Sequence, residues 1–372
     1  MCVSKLPEIA RNPFAFLAAR WTPDAVTVRR AALSSVVMSV VLIVTGGAVR
    51  LTGSGLGCPT WPTCQGDSII GTNAWGAHHA IELGNRMLTY VLCAAVGWTI
   101  LAVRAHRPLR RGVYRLAWAQ FWVVVANAVW GGVTVLTHLN PYVVAVHFLL
   151  SAAQITVAVL TWHRAGESDA APRPLVGKPV RQLGQALTAA SGALLAVGTL
   201  VTGAGPHPGD SRDVHRIGLD WRTVAQLHAD LAWIVIALTG ALWFVLRAVD
   251  APAGPRARTR DLFLVLMSQG VIGYVQYATK LPVGLVELHM LGAALIWVAV
   301  LRLVLSFRDR SADPREPAGG TEGHEQLDGR AVSTAVSTAV SAQGRGESRG
   351  GPRERPQRAG GPDTTAAAPS SR

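Results

Sequence analysis

Residues 223–246 read TVAQLHADLAWIVIALTGALWFVL, an apolar run whose only ionisable side chains are His228 and Asp230. A helix that crosses a bilayer needs roughly 20 mostly apolar residues. This segment is long enough to span, and it carries a histidine a short way inside one end. Seven other segments have the same character: 31–50, 82–103, 113–136, 142–162, 184–203, 261–279 and 285–306. Together they predict an all-α integral membrane protein with eight transmembrane helices.

Composition agrees. Half of the 372 residues are apolar and 15% are charged, against about 25% charged in ordinary soluble domains. The net charge of +13 could suggest a nucleic-acid partner, but its placement argues otherwise. With the N-terminus in the cytoplasm, the segments on that side, helix ends included, hold 21 Lys and Arg, and the outer loops hold 5. That is the positive-inside bias of a cell-membrane protein with both termini cytoplasmic. The basic balance reports topology, and no nucleic-acid partner is expected.

Outside the spans, residues 1–30 read as a cytoplasmic segment without a cleavable signal. Residues 307–372 read as a disordered cytoplasmic tail, rich in Gly, Pro, Ala, Ser and Arg, with an Ala-Val-Ser-Thr repeat near 331–340.

The spans repeat in two sets of four. His147 lies 62 residues after Asn85, and His289 lies 61 residues after His228. A shift of 142 carries Asn127 onto Gln269, Gly131 onto Gly273 and His147 onto His289. The segment Leu51-Thr52-Gly53-Ser54-Gly55 is echoed by Val201-Thr202-Gly203-Ala204-Gly205. These matches predict two pseudo-symmetric four-helix bundles, 31–163 and 183–306, related by an axis along the membrane normal.

Three of the eleven histidines, His147, His228 and His289, fall within spans. Ionisable residues at that depth are costly and usually face the bundle interior. His228 and His289 occupy corresponding places in one bundle, roughly 6–9 Å below the outer end at ~1.5 Å per residue. Two facing imidazoles at one depth can supply both axial ligands of a haem iron. Zinc wants four ligands, and no third or fourth is evident. In the other bundle the partner of His147 is Asn85, whose amide is a poor iron ligand. His78 and His79, at the mouth of the second span, could reach an iron or a propionate; the plainer reading is two surface histidines.

Glu82, Asn85 and Arg86 share one strip of the second span. Glu82 and Arg86 could simply neutralise each other, or Glu82 could serve as a base and Arg86 as a bidentate partner for a propionate. Asp230 and Glu287 each stand two residues from a histidine, about 200° round the helix, and are assigned packing or helix-end roles. Cys58 and Cys64 are the cysteines of the first outer loop, on the oxidising side, and a disulfide is expected there. Cys93 reads as a small buried packing residue. Trp61, Trp75 and Trp221 read as interfacial anchors.

Gly46-Gly47-Ala48-Val49-Arg50-Leu51-Thr52-Gly53-Ser54-Gly55-Leu56-Gly57-Cys58, followed by Trp61-Pro62 and Cys64, resembles the first helix exit and cysteine loop of haem A synthases. Glu82-Leu83-Gly84-Asn85-Arg86 resembles that family's Glu-x-x-His-Arg motif, and His147, His228 and His289 fall where its other histidines fall. The resemblance covers about 31–306. It implies an oxidoreductase that converts the C8 methyl of haem O to the formyl of haem A for terminal oxidases. It implies haem b on His228 and His289 and a substrate haem near His147, with Glu82 catalytic and Asn85 and Arg86 contacting the substrate. Further partners would be the lipid bilayer, a haem O synthase that delivers the substrate, and terminal oxidase assembly factors. Two features depart from the pattern: Asn85 stands where the motif has His, and the loop 204–222 lacks a second cysteine pair found in some members. The rival readings are a bis-His haem electron carrier without catalysis and a haem transporter. A carrier has no need of Glu82, and a transporter would be expected to show interrupted helices.

Overall fold

The computed structural model describes residues 20–70, 76–210 and 214–311. Cys2, Trp75, the segment 1–19 and the tail from residue 312, with its Ala-Val-Ser-Thr repeat, lie outside the described residues. Within them run eight long helices: α1 (Ala25–Leu51), α2 (Ala77–Ala105), α3 (Arg111–Leu136), α4 (Pro141–Ala165), α5 (Lys178–Ala204), α6 (Trp221–Ala248), α7 (Ala253–Ala278) and α8 (Val283–Leu305). Seven of them are long and apolar enough to cross a membrane, and α7 is the exception. It corresponds to the expected span 261–279, but its first turns carry Arg256, Arg258, Arg260 and Asp261. The expected spans start late: α1 begins at Ala25 and α2 at Ala77, because polar first turns continue the helices beyond their apolar stretches.

Local chemistry sets the ends. Asp24 caps α1 by accepting from Thr27 N at 2.8 Å, and Asp220 caps α6 by accepting from Thr223 N at 2.8 Å. Asn140 caps α4, whose first residue is Pro141. An N-cap oxygen satisfies an amide that the helix leaves unpaired, and Pro at the first position gives up an amide that has no partner there anyway. The turn from α3 to α4 is repeated from α7 to α8. His138 and Leu139 adopt φ of 51° and 60°; Lys280 and Leu281, 142 residues on, adopt 62° and 61°. Leu139 N donates to Thr134 O at 2.8 Å, and Leu281 N donates to Gln276 O at 2.7 Å. Non-glycine residues rarely enter this left-handed region. Its recurrence in two consecutive residues at matched positions carries the sequence repeat down to backbone conformation.

Among the first four helices α1 packs on α2, α2 on α3, α3 on α4 and α4 on α1; α5 to α8 close in the same order. The two sets meet chiefly where α8 packs on α1 and α4, and where α4 packs on α5. Polar pairs lock these seams. Ser35 and Thr99 hydroxyls meet at 3.0 Å between α1 and α2, Gln120 Nε2 donates to Thr161 at 2.9 Å between α3 and α4, and Trp297 Nε1 of α8 donates to Thr156 of α4 at 2.9 Å. A buried apolar cluster of Val36, Ile43, Ile155, Val159, Ala294 and Leu301 joins α1, α4 and α8. Large apolar side chains also point outward, Phe244 at 74% and Trp122 at 63% exposed. An outer surface of that kind suits lipid and not water. Apart from one short antiparallel pairing, Arg173–Pro174 with Arg308–Asp309, the regular structure of the described residues is helical, and the chain is a multi-pass integral membrane protein. Cys93 departs from expectation: it is exposed on α2 and not buried in packing. Its neighbours Leu92 and Val96 take the inward face instead.

Candidate functional site

The loop after α1 is closed by a disulfide between Cys58 and Cys64, both fully buried. Two α2 side chains one turn apart hold it down. Glu82 accepts from Cys58 N at 2.6 Å through Oε2, and through Oε1 it accepts from Arg86 Nη2 at 2.6 Å and Nε at 3.1 Å. The Arg86 guanidinium also donates to the carbonyls of Cys58 at 2.8 Å, Thr60 at 3.0 Å and Thr63 at 3.2 Å. A guanidinium carries five N–H donors in a planar fork, and here they bind one carboxylate and three loop carbonyls. The pair predicted from sequence is therefore formed, and it also acts as the clasp of the disulfide loop.

His79 belongs to the same assembly. It is buried, with Nε2 2.9 Å from Ile70 O and Nδ1 3.3 Å from Gly57 O and 3.5 Å from Cys64 Sγ. The expectation of a surface histidine is corrected for this residue, because the loop folds over it. His78 is exposed, with Nδ1 3.0 Å from Ser54 Oγ. Asn85 turns toward α1, where its Oδ1 accepts from Thr45 Oγ1 at 2.7 Å. The strip thus divides, Glu82 and Arg86 facing the loop and Asn85 facing α1.

The loop also reaches α3. Trp61 lies so close to Gly132 that a Cβ there would stand 2.4 Å from its ring. Trp61 is thus a packed residue as well as a boundary tryptophan. The neighbouring Gly131 faces His147, whose Cε1 would lie 3.3 Å from an added Cβ. On the other side, Ser151 Oγ stands 3.1 Å from His147 O and 3.2 Å from Asn127 Oδ1. In the second set of helices Gly273 gives room to His289, with 3.5 Å from an added Cβ to Cε1, and Gln269 Nε2 donates to His289 O at 3.1 Å. Gly198 does the same for His228 at 3.2 Å. The matched glycines Gly131 and Gly273, visible in sequence without a purpose, clear space for a histidine ring; Gln269 engages the carbonyl of its histidine directly, whereas Asn127 meets Ser151, which bonds the carbonyl of His147.

His228 and His289 face each other with ring centres 6.3 Å apart and planes at 68°. An iron held ~2 Å from one nitrogen of each ring would set the centres roughly 6 Å apart. Nδ1 of His147, His228 and His289 is in each case buried without a protein partner. A buried polar atom left unpaired costs on the order of 1–3 kcal/mol, so none of these rings is committed to a structural bond at that atom. The residues present fit a metal centre held between His228 and His289. Asp230, by contrast, accepts from Gln226 Nε2 at 2.8 Å on the exposed face. Glu287 points the other way from His289, toward α1, where Oε2 would lie 2.9 Å from a Cβ on Gly47, and both its oxygens are buried without partners. Trp221 stacks on Tyr277 with ring centres 5.6 Å apart.

Residues 29–301 match the family model described as COX15-CtaA, cytochrome oxidase assembly protein. A relative named heme A synthase from Staphylococcus haemolyticus is 25% identical over 292 residues, covering 73% of this chain and 92% of its own length. One of the same name from Staphylococcus saprophyticus is 24% identical over 292 residues, covering 73% and 93%. A third, from Geobacillus kaustophilus, is 28% identical over 113 residues, covering 30% of this chain and 34% of its own length. With its family model matched along most of its length, the chain belongs to the COX15-CtaA family of cytochrome oxidase assembly proteins.

Proposed function

We propose that this protein is a haem A synthase, which uses an external oxidant to convert the C8 methyl of haem O to the formyl group of haem A by two hydroxylations and loss of water. The observation that carries this reading is the family match over residues 29–301, with relatives that bear that name. The site geometry supports it. His228 and His289 would hold haem b, as their 6.3 Å spacing and uncommitted Nδ1 atoms favour. That group would supply electron transfer next to the substrate. His147 would bind the substrate haem iron, and Asn85 would leave the opposite side without a strong ligand.

Two bundles, 31–163 and 183–306, would divide these tasks. The closed packing order of α1–α4 and of α5–α8 supports the division. α7 is read as the eighth span: it has 26 residues, or about 39 Å at 1.5 Å per residue. The links on either side of it, 249–252 and 279–282, are short, so α6, α7 and α8 must run antiparallel. An even number of spans, with the Lys and Arg bias, supports the reading that both termini are cytoplasmic.

Glu82 is assigned the proton-handling role at the substrate methyl, and Arg86 the substrate-contact role. Their present partners argue for a coupling: Glu82 receives its hydrogen bonds from Cys58 N and Arg86, so the loop fixes where the carboxylate lies. The test is organic extraction of the haems bound to purified protein. Haem b with smaller amounts of haem O and haem A is expected. Haem b alone, from cells that make haem O, would favour the electron carrier.

A further inference from the structure

The ends of α1 and α5 bring two arginines to one oxygen. Arg50 Nη2, from the last turn of α1, donates to Thr202 O at 2.6 Å. Arg216 Nη2, from the link before α6, donates to the same oxygen at 2.7 Å and also to Gly205 O. Carbonyls at a helix C-terminus attract cations, so one guanidinium here would be ordinary capping. Two like charges on one carbonyl repel each other, and no ion pair to either arginine is present among the described residues.

Both guanidiniums spend only Nη2 on these carbonyls. Among the described residues Nε and Nη1 of each have no hydrogen-bond partner. Both side chains are partly exposed, which leaves each arginine one edge of its fork for an oxyanion. An open hollow at the surface adjoins Arg216 and is lined also by Trp221, Pro206, Pro208 and Val214. Its walls are apolar with one cation. Trp221 opens α6, two turns before His228, or roughly 10 Å along the axis.

We propose that Arg50 and Arg216 form a carboxylate clamp for the propionates of the haem held between His228 and His289. The proposal rests on the bis-His reading above. The occupant must join an apolar body to an anionic edge, and it must lie at the α6 end where both histidines stand. Arg50 comes from the first four helices and Thr202 from the last four, so the clamp also ties the sets together around the ligand. A phospholipid phosphate offers the same oxyanion chemistry, and the experiment separates the two sources.

Arg50→Gln and Arg216→Gln, with Arg50→Lys and Arg216→Lys as charge-preserving controls, are purified with their haem. Three quantities are read: the rate of haem transfer to apomyoglobin, the midpoint potential, and the phospholipid retained in native mass spectrometry. The clamp predicts haem loss faster by roughly tenfold or more in the Gln variants, since a charge-assisted hydrogen bond is removed. It also predicts a lower potential, because a cation that disfavours ferric iron is gone. The Lys variants should recover most of the potential. Unchanged haem loss and potential with a phospholipid missing would overturn the propionate assignment and give the site to lipid. No change in any of the three would overturn the anion site itself. If the wild type resembles His228→Ala and His289→Ala in lacking b-type absorbance, the bis-His reading fails, and with it the propionate clamp; retained phospholipid then decides whether an anion binds there.

Discussion

The first four helices and the last four are built on one plan and differ at one position that matters. In the last four, His228 and His289 face each other across 6.3 Å. In the first four, His147 has its glycine clearance and its supported carbonyl, as His289 does, but the place of His228 is taken by Asn85. Asn85 is tied to Thr45 of α1 at 2.7 Å. The second difference is the cover. The first set carries a disulfide loop clasped by Glu82 and Arg86 and seated on Gly132 through Trp61. The last set has in the corresponding place a loop without cysteines, bearing Arg216. A site with two strong ligands suits a permanent cofactor. A site with one histidine and a pinned loop beside it suits a molecule that must enter, react and leave.

His228→Ala or His289→Ala should remove most of the b-type absorbance from purified protein, whereas His147→Ala should leave it nearly intact. Equal losses in all three would erase the proposed division of labour. Asn85→His should supply the missing ligand, raise the haem retained per chain, and slow turnover because the substrate is held on both sides. Haem-to-protein ratio and optical spectra measure this; an unchanged ratio would mean that Asn85 does not face the iron.

Smaller effects are expected from the cover. Replacing Cys58 and Cys64 by Ser opens a short covalent loop, for which chain entropy predicts a stability loss of about 2 kcal/mol. A lowered Tm in detergent is the readout, and an unchanged Tm would mean that the clasp of Glu82 and Arg86 suffices alone. Gly132→Ala would press a methyl into the Trp61 ring, and overpacking of that kind costs about 1–3 kcal/mol. It should lower Tm and speed alkylation of Cys58 and Cys64 after mild reduction. The smallest effect is at a helix start. Asn140→Ala removes the α4 cap at a cost of about 1 kcal/mol, while α8, with Pro282 in the capping place, has no side-chain cap to lose.

Seven helices of membrane-spanning length were legible because lipid demands long apolar stretches, and the matched polar positions because few polar residues survive inside them. Asn127, Gln269, Gly131 and Gly273 stood out for that reason, although their relation to the histidine rings needed coordinates. The clasp was half visible. The four-residue spacing announced the Glu82–Arg86 pair, but its other partners are backbone groups of residues 58, 60 and 63, and backbone acceptors have no sequence signature. His79 looked like a surface residue because its burial depends on how the loop folds back. Cys93 was misjudged because inside a span an apolar face can meet lipid as easily as protein, and composition does not separate the two.

Whether this chain makes haem A is read from the haem extracted from a strain that lacks its own haem A synthase, still makes haem O, and expresses either the wild type or Glu82→Gln. Haem A is expected from the wild type. From Glu82→Gln, which keeps the shape of the side chain but removes the base, accumulated haem O or a hydroxylated intermediate is expected, with b-type absorbance on His228 and His289 retained. Loss of a general acid or base typically slows a reaction by ~10²–10⁴-fold. Absence of haem A from a well-folded, haem b-loaded wild type would contradict the assignment as a synthase. Normal haem A production by Glu82→Gln would leave Glu82 as the clasp of the disulfide loop and nothing more.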